Sequence, residues 1–503
     1  MSKVGVIVVL GVVSYLLSFG CGGDKHGTGP VPVVADTVYV NVNYTGIGDG
    51  SSTNPYNSLT GAVAAADPGD VLLIAAGEYS DTETFPIYIK PGMTIRGAGR
   101  DETYIRGQLL DMTQDDIRPV TLEDLSCEGF TFGRNEAPSA PSETNRVRRC
   151  RVIGDLGSLH GGGHHFEIDS CIVVGRVRFG HGSGNSRDIM RRSDINGTVA
   201  FGSGAPLTEG ELVQVITDCR VSDGIHFASG PGGTDTIFNC HIDSVGIEYI
   251  SGTSNVYIAY NIIDKGQIRD GSGYGDQIIT HNVITCTGAD EAAIYASGAG
   301  DLITHNTINA YGGAMGIYAI SGYPTYIDSN LVRVSGGGAC LFTESGAGQI
   351  VGNTFKGGSI GATDSSGTLL FAHNCIDSCG IGVIIHSAAR YVGNTITNCT
   401  GDGMIIDYTG YAVDSNTIAH NGGAGVRITG AQTDLGGGSR SGLGGNIIIN
   451  NLGWNLVNET ADTVWAKYNH WDNPDSLAID ASDIYDDDEN ASLGPVIFMP
   501  PGN

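Results

Sequence analysis

A short unit recurs along most of this chain, and no other feature narrows its architecture as much. The unit is Asn-x-Ile or a close variant: Asn261-Ile-Ile263, Asn282-Val-Ile284, Asn306-Thr-Ile308, Asn330-Leu-Val332, Asn353-Thr-Phe355, Asn374-Cys-Ile376, Asn394-Thr-Ile396, Asn416-Thr-Ile418 and Asn446-Ile-Ile448. Successive asparagines lie 21, 24, 24, 23, 21, 20, 22 and 30 residues apart. Further back, Cys240, Cys219, Ser193, Cys171 and Cys150 hold the same place, each followed two residues later by Ile or Val, at intervals of 21, 21, 26, 22 and 21. At least fourteen units therefore run from about 150 to 446. Self-similarity at so short a period builds a solenoid rather than a string of ordinary globular domains.

Each unit holds three short apolar-alternating stretches separated by Gly, Ser, Asn and Asp, as in Leu302-Ile303, Asn306-Thr-Ile308 and Gly316-Ile317-Tyr318-Ala319. Stretches this short, with turn residues between them and no helical period, are strands. Three strands per unit of about 22 residues make one coil of a parallel β-helix, with coils stacked ~4.8 Å apart, so fourteen coils extend roughly 65 Å. Asparagine recurs at one turn because its amide bonds both to backbone at the bend and to the asparagines above and below. Glycine, 78 of 503 residues, serves turns that need positive φ. It shows no collagen period, and 40% hydrophobic residues is too many for a disordered chain. A net charge of −28 argues against a nucleic-acid partner. No CxxC or HExxH suggests zinc.

This pattern resembles the right-handed β-helix of the pectate-lyase-like superfamily, over roughly residues 38–500. The start, Tyr39-Val-Asn-Val42, a loop through Pro55, a helix-like stretch 57–66 and then Pro68-Gly-Asp-Val-Leu-Leu-Ile, is similar to the cap of exported bacterial β-helix proteins. There a short amphipathic helix covers the open end of the first coil, which would otherwise expose strand edges. Asn469-His-Trp471, Asn473-Pro-Asp475 and the segment to Phe498 resemble a closing segment of the same group. The expected organisation is a cap and first coils over 37–110, an Asn/Cys-laddered helix over 111–456 and a closing segment over 457–503.

Ahead of these, Lys3 precedes the apolar run Val4 to Leu17, too short to span a bilayer and laid out as a secretory signal peptide. With Cys21 after Gly20 and a polar stretch beyond, it resembles a bacterial lipoprotein signal. That resemblance implies a signal peptide over 1–20, lipidation at Cys21, a polar tether over 21–36 and membrane attachment through lipid alone; plain secretion is the alternative.

Outward positions repeated on successive coils make stripes of side chains. On the strand that ends each unit, Val177 and Phe179, Ile225 and Phe227, Ile247 and Tyr249, Ile268, Ile294 and Ile317 read as inward, leaving Arg178, Ala200, His226, Glu248, Arg269, Tyr295 and Tyr318 outward. In the superfamily the asparagine turn precedes the third strand of the coil. The resemblance therefore makes this the first strand, whose outer face often carries the saccharide groove. Arg269, His226 and Glu248 are the expected catalytic group, and Arg178, Tyr295 and Tyr318 the expected substrate-binding residues. A lyase needs a base and a cation, for which Arg269, His226 and Lys265 are available, whereas a hydrolase needs two carboxyls and Glu248 lacks a clear partner. The plainer alternative is a cross-strand ion pair among ordinary β formers.

Asp223, Asp243 and Asp264 follow the ladder turn on adjacent coils, Asp223 one place out of phase, and suggest a calcium site; turn-forming aspartates are the alternative. Asp486-Asp-Asp-Glu489 is acidic but lacks EF-hand spacing. His164, His165, Glu167 and Asp169 read as a turn cluster, His281 and His305 as a stack, and Cys150/Cys171, Cys219/Cys240 and Cys379/Cys399 as buried thiols or, alternatively, disulfides. Gly180-His181-Gly182 resembles a polygalacturonase motif without that family's ordered aspartates. The functional expectation is a monomeric envelope protein that binds polysaccharide or another envelope component. A polysaccharide-active enzyme, with lyase ahead of epimerase or hydrolase, and an adhesin or structural spine are the alternatives.

Overall fold

The computed structural model describes residues 35–111, 118–132, 144–158, 165–179, 186–201, 212–227, 234–249, 255–269, 276–288, 291–298, 300–320, 325–344, 347–365, 368–408, 412–430, 433–438 and 442–502. Residues 36–503 cluster as one unit, an all-β right-handed parallel β-helix with three strands per coil. One coil runs Asn255–Ala259, then Ile262–Asp264, then Gly266–Arg269. These belong to the first, second and third sheets, and every strand pairs in parallel with its equivalent one coil away. The first sheet alone holds seventeen strands, a stack of roughly 75 Å at ~4.8 Å per strand.

Alternation fixes what faces inward. Ile258, Ile263 and Ile268 are buried on all three sheets of one coil, and Ile279, Ile284 and Ile294 repeat them on the next. At the C-terminal ends of three successive third-sheet strands the inward rings stack directly: Phe179 on Phe201 and Phe201 on Phe227, each at 4.7 Å between centroids.

The bend from the first to the second sheet is one device used repeatedly. The residue before each rung adopts left-handed φ: 52° at Arg149, 53° at Asn239, 59° at Tyr260, 56° at His281 and His305. Glycine fills this place only at positions such as Gly352 and Gly393. A side chain there carries backbone strain, held in place by the rung that follows. Asn306 Nδ2 donates to Asn330 Oδ1 at 3.0 Å and to Ile279 O at 2.8 Å, and its backbone N–H donates to the same Oδ1 at 3.0 Å. The ladder continues through Asn446 to Asn469, which extends it into the closing segment.

The helix Leu59–Ala65 buries Leu59, Ala62 and Val63. Ser58 caps it, and the Glu83 carboxylate accepts the N–H groups of Leu59 and Thr60 at 2.6 Å, satisfying orphan donors of the first turn. The closing segment holds a second helix, Ser476–Asp483, capped by Asp475, which the sequence reading did not foresee. It leads to Ile484–Tyr485, the last strand on the third sheet. Among the described residues no helix is long and apolar enough to cross a membrane.

Candidate functional site: the outer face of the third sheet

Val177, Phe179, Ile225, Phe227, Ile247, Ile268, Ile294 and Ile317 are buried, and the register sets their outward neighbours in one row. Arg178 pairs with Ala200, Ala200 with His226, His226 with Glu248, Glu248 with Arg269, Arg269 with Tyr295, Tyr295 with Tyr318 and Tyr318 with Phe342. His226 Nδ1 lies 3.1 Å from Glu248 Oε2. The Arg269 guanidinium stands over the Tyr295 ring at 5.2 Å, a cation–π contact. Tyr295, Tyr318 and Phe342 follow at centroid spacings of 5.3 Å. Tyr318 donates its hydroxyl to Glu344 at 2.7 Å; burial, reinforced by that bond, pushes its pKa up to about 12.

The row therefore has a charged end and an aromatic end that meet at Arg269. Arg178 shares the row but lies two coils from His226, its guanidinium 3.8 Å from Asp155. Lys265 is exposed at the turn entering the strand, off the row. Among the described residues Glu248 is the sole carboxylate in the row between Arg178 and Phe342, and the row itself presents no pair of the kind glycoside hydrolysis uses. Phe342 and Glu344 extend the face beyond what the sequence suggested. Phe342 stands twelve residues after Asn330, as Tyr318 does after Asn306, and that offset would have found it.

The carboxylates of the second sheet assemble differently from the expected triplet. Asp243 and Asp264 stack, but Ser222 takes the equivalent place on the coil before, leaving Asp223 exposed beyond it and bonded to Ser222. The third member of the cluster is His241, with Nε2 2.9 Å from Asp264 Oδ2 and 3.1 Å from Asp243 Oδ1. Arg220 covers the other Asp243 oxygen at 2.8 Å. One imidazole nitrogen stands among the carboxylate oxygens and a guanidinium caps one of them, unlike the all-oxygen shell that calcium prefers. Asp486, in the late acidic run, is buried and accepts the N–H of Val496 at 2.6 Å, which ties that loop to the closing strand.

The cluster at His165 is also neutralised from within. Glu167 meets Arg148 at 2.9 Å and Arg146 at 3.4 Å, and Asp169 bonds Arg192. Burial raises the Asp169 pKa, but the bonds from Arg192 and Ser170 and the arginine charges outweigh it and hold the carboxyl below its usual range. His281 and His305 do stack, centroids 4.9 Å apart and planes within 1°, with Tyr260 on His281 at 4.7 Å. Cys150, Cys171, Cys219, Cys240, Cys379 and Cys399 are buried free thiols. Cys21, His164 and Gly180-His181-Gly182 lie outside the described residues.

Residues 292–451 match the family described as right handed beta helix region, and residues 43–109 match one described as protein of unknown function (DUF1565). The search of curated proteins found no match. Among solved structures the chain is similar to the A-module of the mannuronan C-5 epimerase AlgE6 of Azotobacter vinelandii, at 13% identity, covering 92% of this chain and 100% of that one. The TM-score is 0.18, so that likeness carries no argument. Coil geometry and the matched repeat region together make this a right-handed parallel β-helix protein.

Proposed function

We propose that this is an exported, lipid-anchored β-helix protein whose third-sheet outer face binds polysaccharide. The observation that carries the reading is the row Arg269–Tyr295–Tyr318–Phe342, a cation and three rings in register on four adjacent strands. Aromatic faces give sugars an apolar platform, and Arg269 offers fixed donors beside it. Repetition along a rigid axis suits an extended polymer better than a small metabolite. The anchor is supported by the sequence of Lys3, the apolar run to Leu17 and Cys21.

Affinity electrophoresis of the full chain through gels containing neutral and acidic polysaccharides tests this. Retardation by at least one polymer, lost in the Tyr295→Ala/Tyr318→Ala double variant, is expected. Unretarded migration across a broad panel would favour an adhesin or a structural spine instead.

The His226–Glu248 contact favours a second reading, a uronate lyase. A carboxylate that orients one imidazole nitrogen leaves the other to take a proton, and Arg269 supplies positive charge near a substrate carboxylate. A rise in ultraviolet-absorbing unsaturated product together with reducing ends would identify elimination. Reducing ends alone would identify hydrolysis, and exchange of the C5 proton without cleavage would identify epimerisation.

A further inference from the structure

Farther along the third sheet the outward row continues from Phe342 through Thr363, Ile384 and Ile405 to Arg427, then Val457 and Tyr485. Arg427 is thus four strands beyond Phe342, roughly 19 Å along the axis. There the surface sinks into a cavity of about 340 Å3 whose lining includes Gly423, Arg427, Gly453, Trp454, Glu459 and Tyr485. That volume is at the small end of the ~300–1,000 Å3 common for ligand pockets, room for one or two sugar rings rather than a polymer segment.

Glycines let the coils beneath the pocket stack closely. A Cβ on Gly423 would collide with Asp402 Oδ1, and one on Gly453 with the Gly423 backbone. The wall is aromatic, with Trp454 and Tyr485 5.7 Å apart and tilted by 55°. The polar groups are fixed in advance. Asp402 holds the Arg427 guanidinium through Nε at 2.6 Å and Nη2 at 3.2 Å, while Glu459 binds its Nη1. Asp402 also accepts the Ala424 N–H at 2.6 Å. Glu459 keeps 45% of its side chain exposed.

We infer that this pocket is a saccharide site for an uncharged pyranose unit, separate from the aromatic row proposed above. Planar polar side chains locked beside aromatic faces match the alternating hydroxyl edges and apolar faces of a sugar ring. Two carboxylates around one guanidinium leave the site with net negative charge, and the acidic run Asp486-Asp-Asp-Glu489 follows Tyr485 in sequence, so a uronate is disfavoured.

Isothermal titration of the full chain with neutral gluco-, manno- and galacto-oligosaccharides, and with an oligogalacturonate, decides the matter. Saturable binding of at least one neutral oligosaccharide is expected, weakened about tenfold or more by Trp454→Ala and by the near-isosteric Glu459→Gln. It should be retained in Tyr295→Ala/Tyr318→Ala, and thermal melting should verify that each variant is folded. Absence of heat with every neutral sugar, wild-type affinity in both pocket variants, or preference for the oligogalacturonate would overturn the assignment. Loss of binding only in the double tyrosine variant would place all saccharide recognition on the row and leave the pocket with none.

Discussion

The coils before Asn261 and those after it hold together by different means. Before it the rungs are Cys150, Cys171, Ser193, Cys219 and Cys240, and the thiols reach carbonyls only as weak donors, such as Cys171 Sγ to Val147 O at 3.3 Å. After it each Asn binds its successor twice and a backbone carbonyl besides. The outer surfaces differ in the opposite sense. Residues 90–192 carry 15 basic and 14 acidic residues, net +1, while the other 400 carry 11 and 40, net −29. On the first sheet of the early coils the register alternates charge: Arg96, Glu123, Arg148, Asp169, Arg191. Where the ladder is weak, cohesion between coils comes from charge on the outside. Where asparagine supplies it from within, the outer face is released to carry half-buried rings, and the Arg269–Phe342 row lies on those later coils.

The largest effect should come from the ladder. Asn306→Leu strands the Asn282 N–H and Ile279 carbonyl and is expected to cost roughly 3–5 kcal/mol, against about 1–2 kcal/mol for Cys171→Ala, both read from chemical denaturation. Equal costs would erase the distinction between the two halves.

Next is the double tyrosine substitution, which should weaken polysaccharide binding by about tenfold or more, while Arg178→Ala at the early end of the same row changes it by less than about threefold. A larger loss for Arg178→Ala in affinity electrophoresis would move the binding face toward the charged coils.

The two ends should also answer pH in opposite directions. Asp124 is held low by its bonds to Arg149, and Asp169 by Arg192 and Ser170. Their stabilisation is complete above the unfolded carboxyl value of about 3.9 and is lost as pH falls through their lower folded values. Asp483 and Asp486 are raised by burial, so the closing segment is most stable below about 3.9 and weakens as pH rises through their folded values. Amide exchange at pH 7 and near pH 4 should therefore show better protection of Ile484–Tyr485 at the lower pH, with Thr144–Arg148 little changed. A change in the opposite sense would break the account of that end.

The smallest effect concerns salt. Raising it to about 1 M should loosen amide protection over the early coils by a few tenths of a kcal/mol and leave the asparagine-laddered coils alone.

What could be read from the sequence depended on how often a signal repeats. The asparagine spacing and buried isoleucines fixed the phase of the third-sheet strands, so His226, Glu248, Arg269, Tyr295 and Tyr318 fell on one row as expected. Phase failed where strands are short. His241–Ile242 and Arg220–Val221 are two-residue strands; the spacing already sets Asp223 one place out of phase, but nothing in so short a stretch reveals that His241 turns outward to meet Asp243 and Asp264. The helix Ser476–Asp483 leaves no mark in the sequence pattern because it buries only Ile479 and Asp483, too few residues to print a helical period. The pocket at Arg427 depends on Trp454 in a turn and Tyr485 beyond a helix, places the repeat does not bring into register.

The central claim, that polysaccharide lies along the third-sheet outer face of the later coils, is tested most directly by hydrogen–deuterium exchange with and without the polymer that retards the protein most. New protection at Gly266–Arg269, Ala292–Ala296 and Met315–Ala319, with the first-sheet strands of the same coils unchanged, is the predicted result. Protection confined to the first or second sheet, under conditions where binding is saturated, would contradict it.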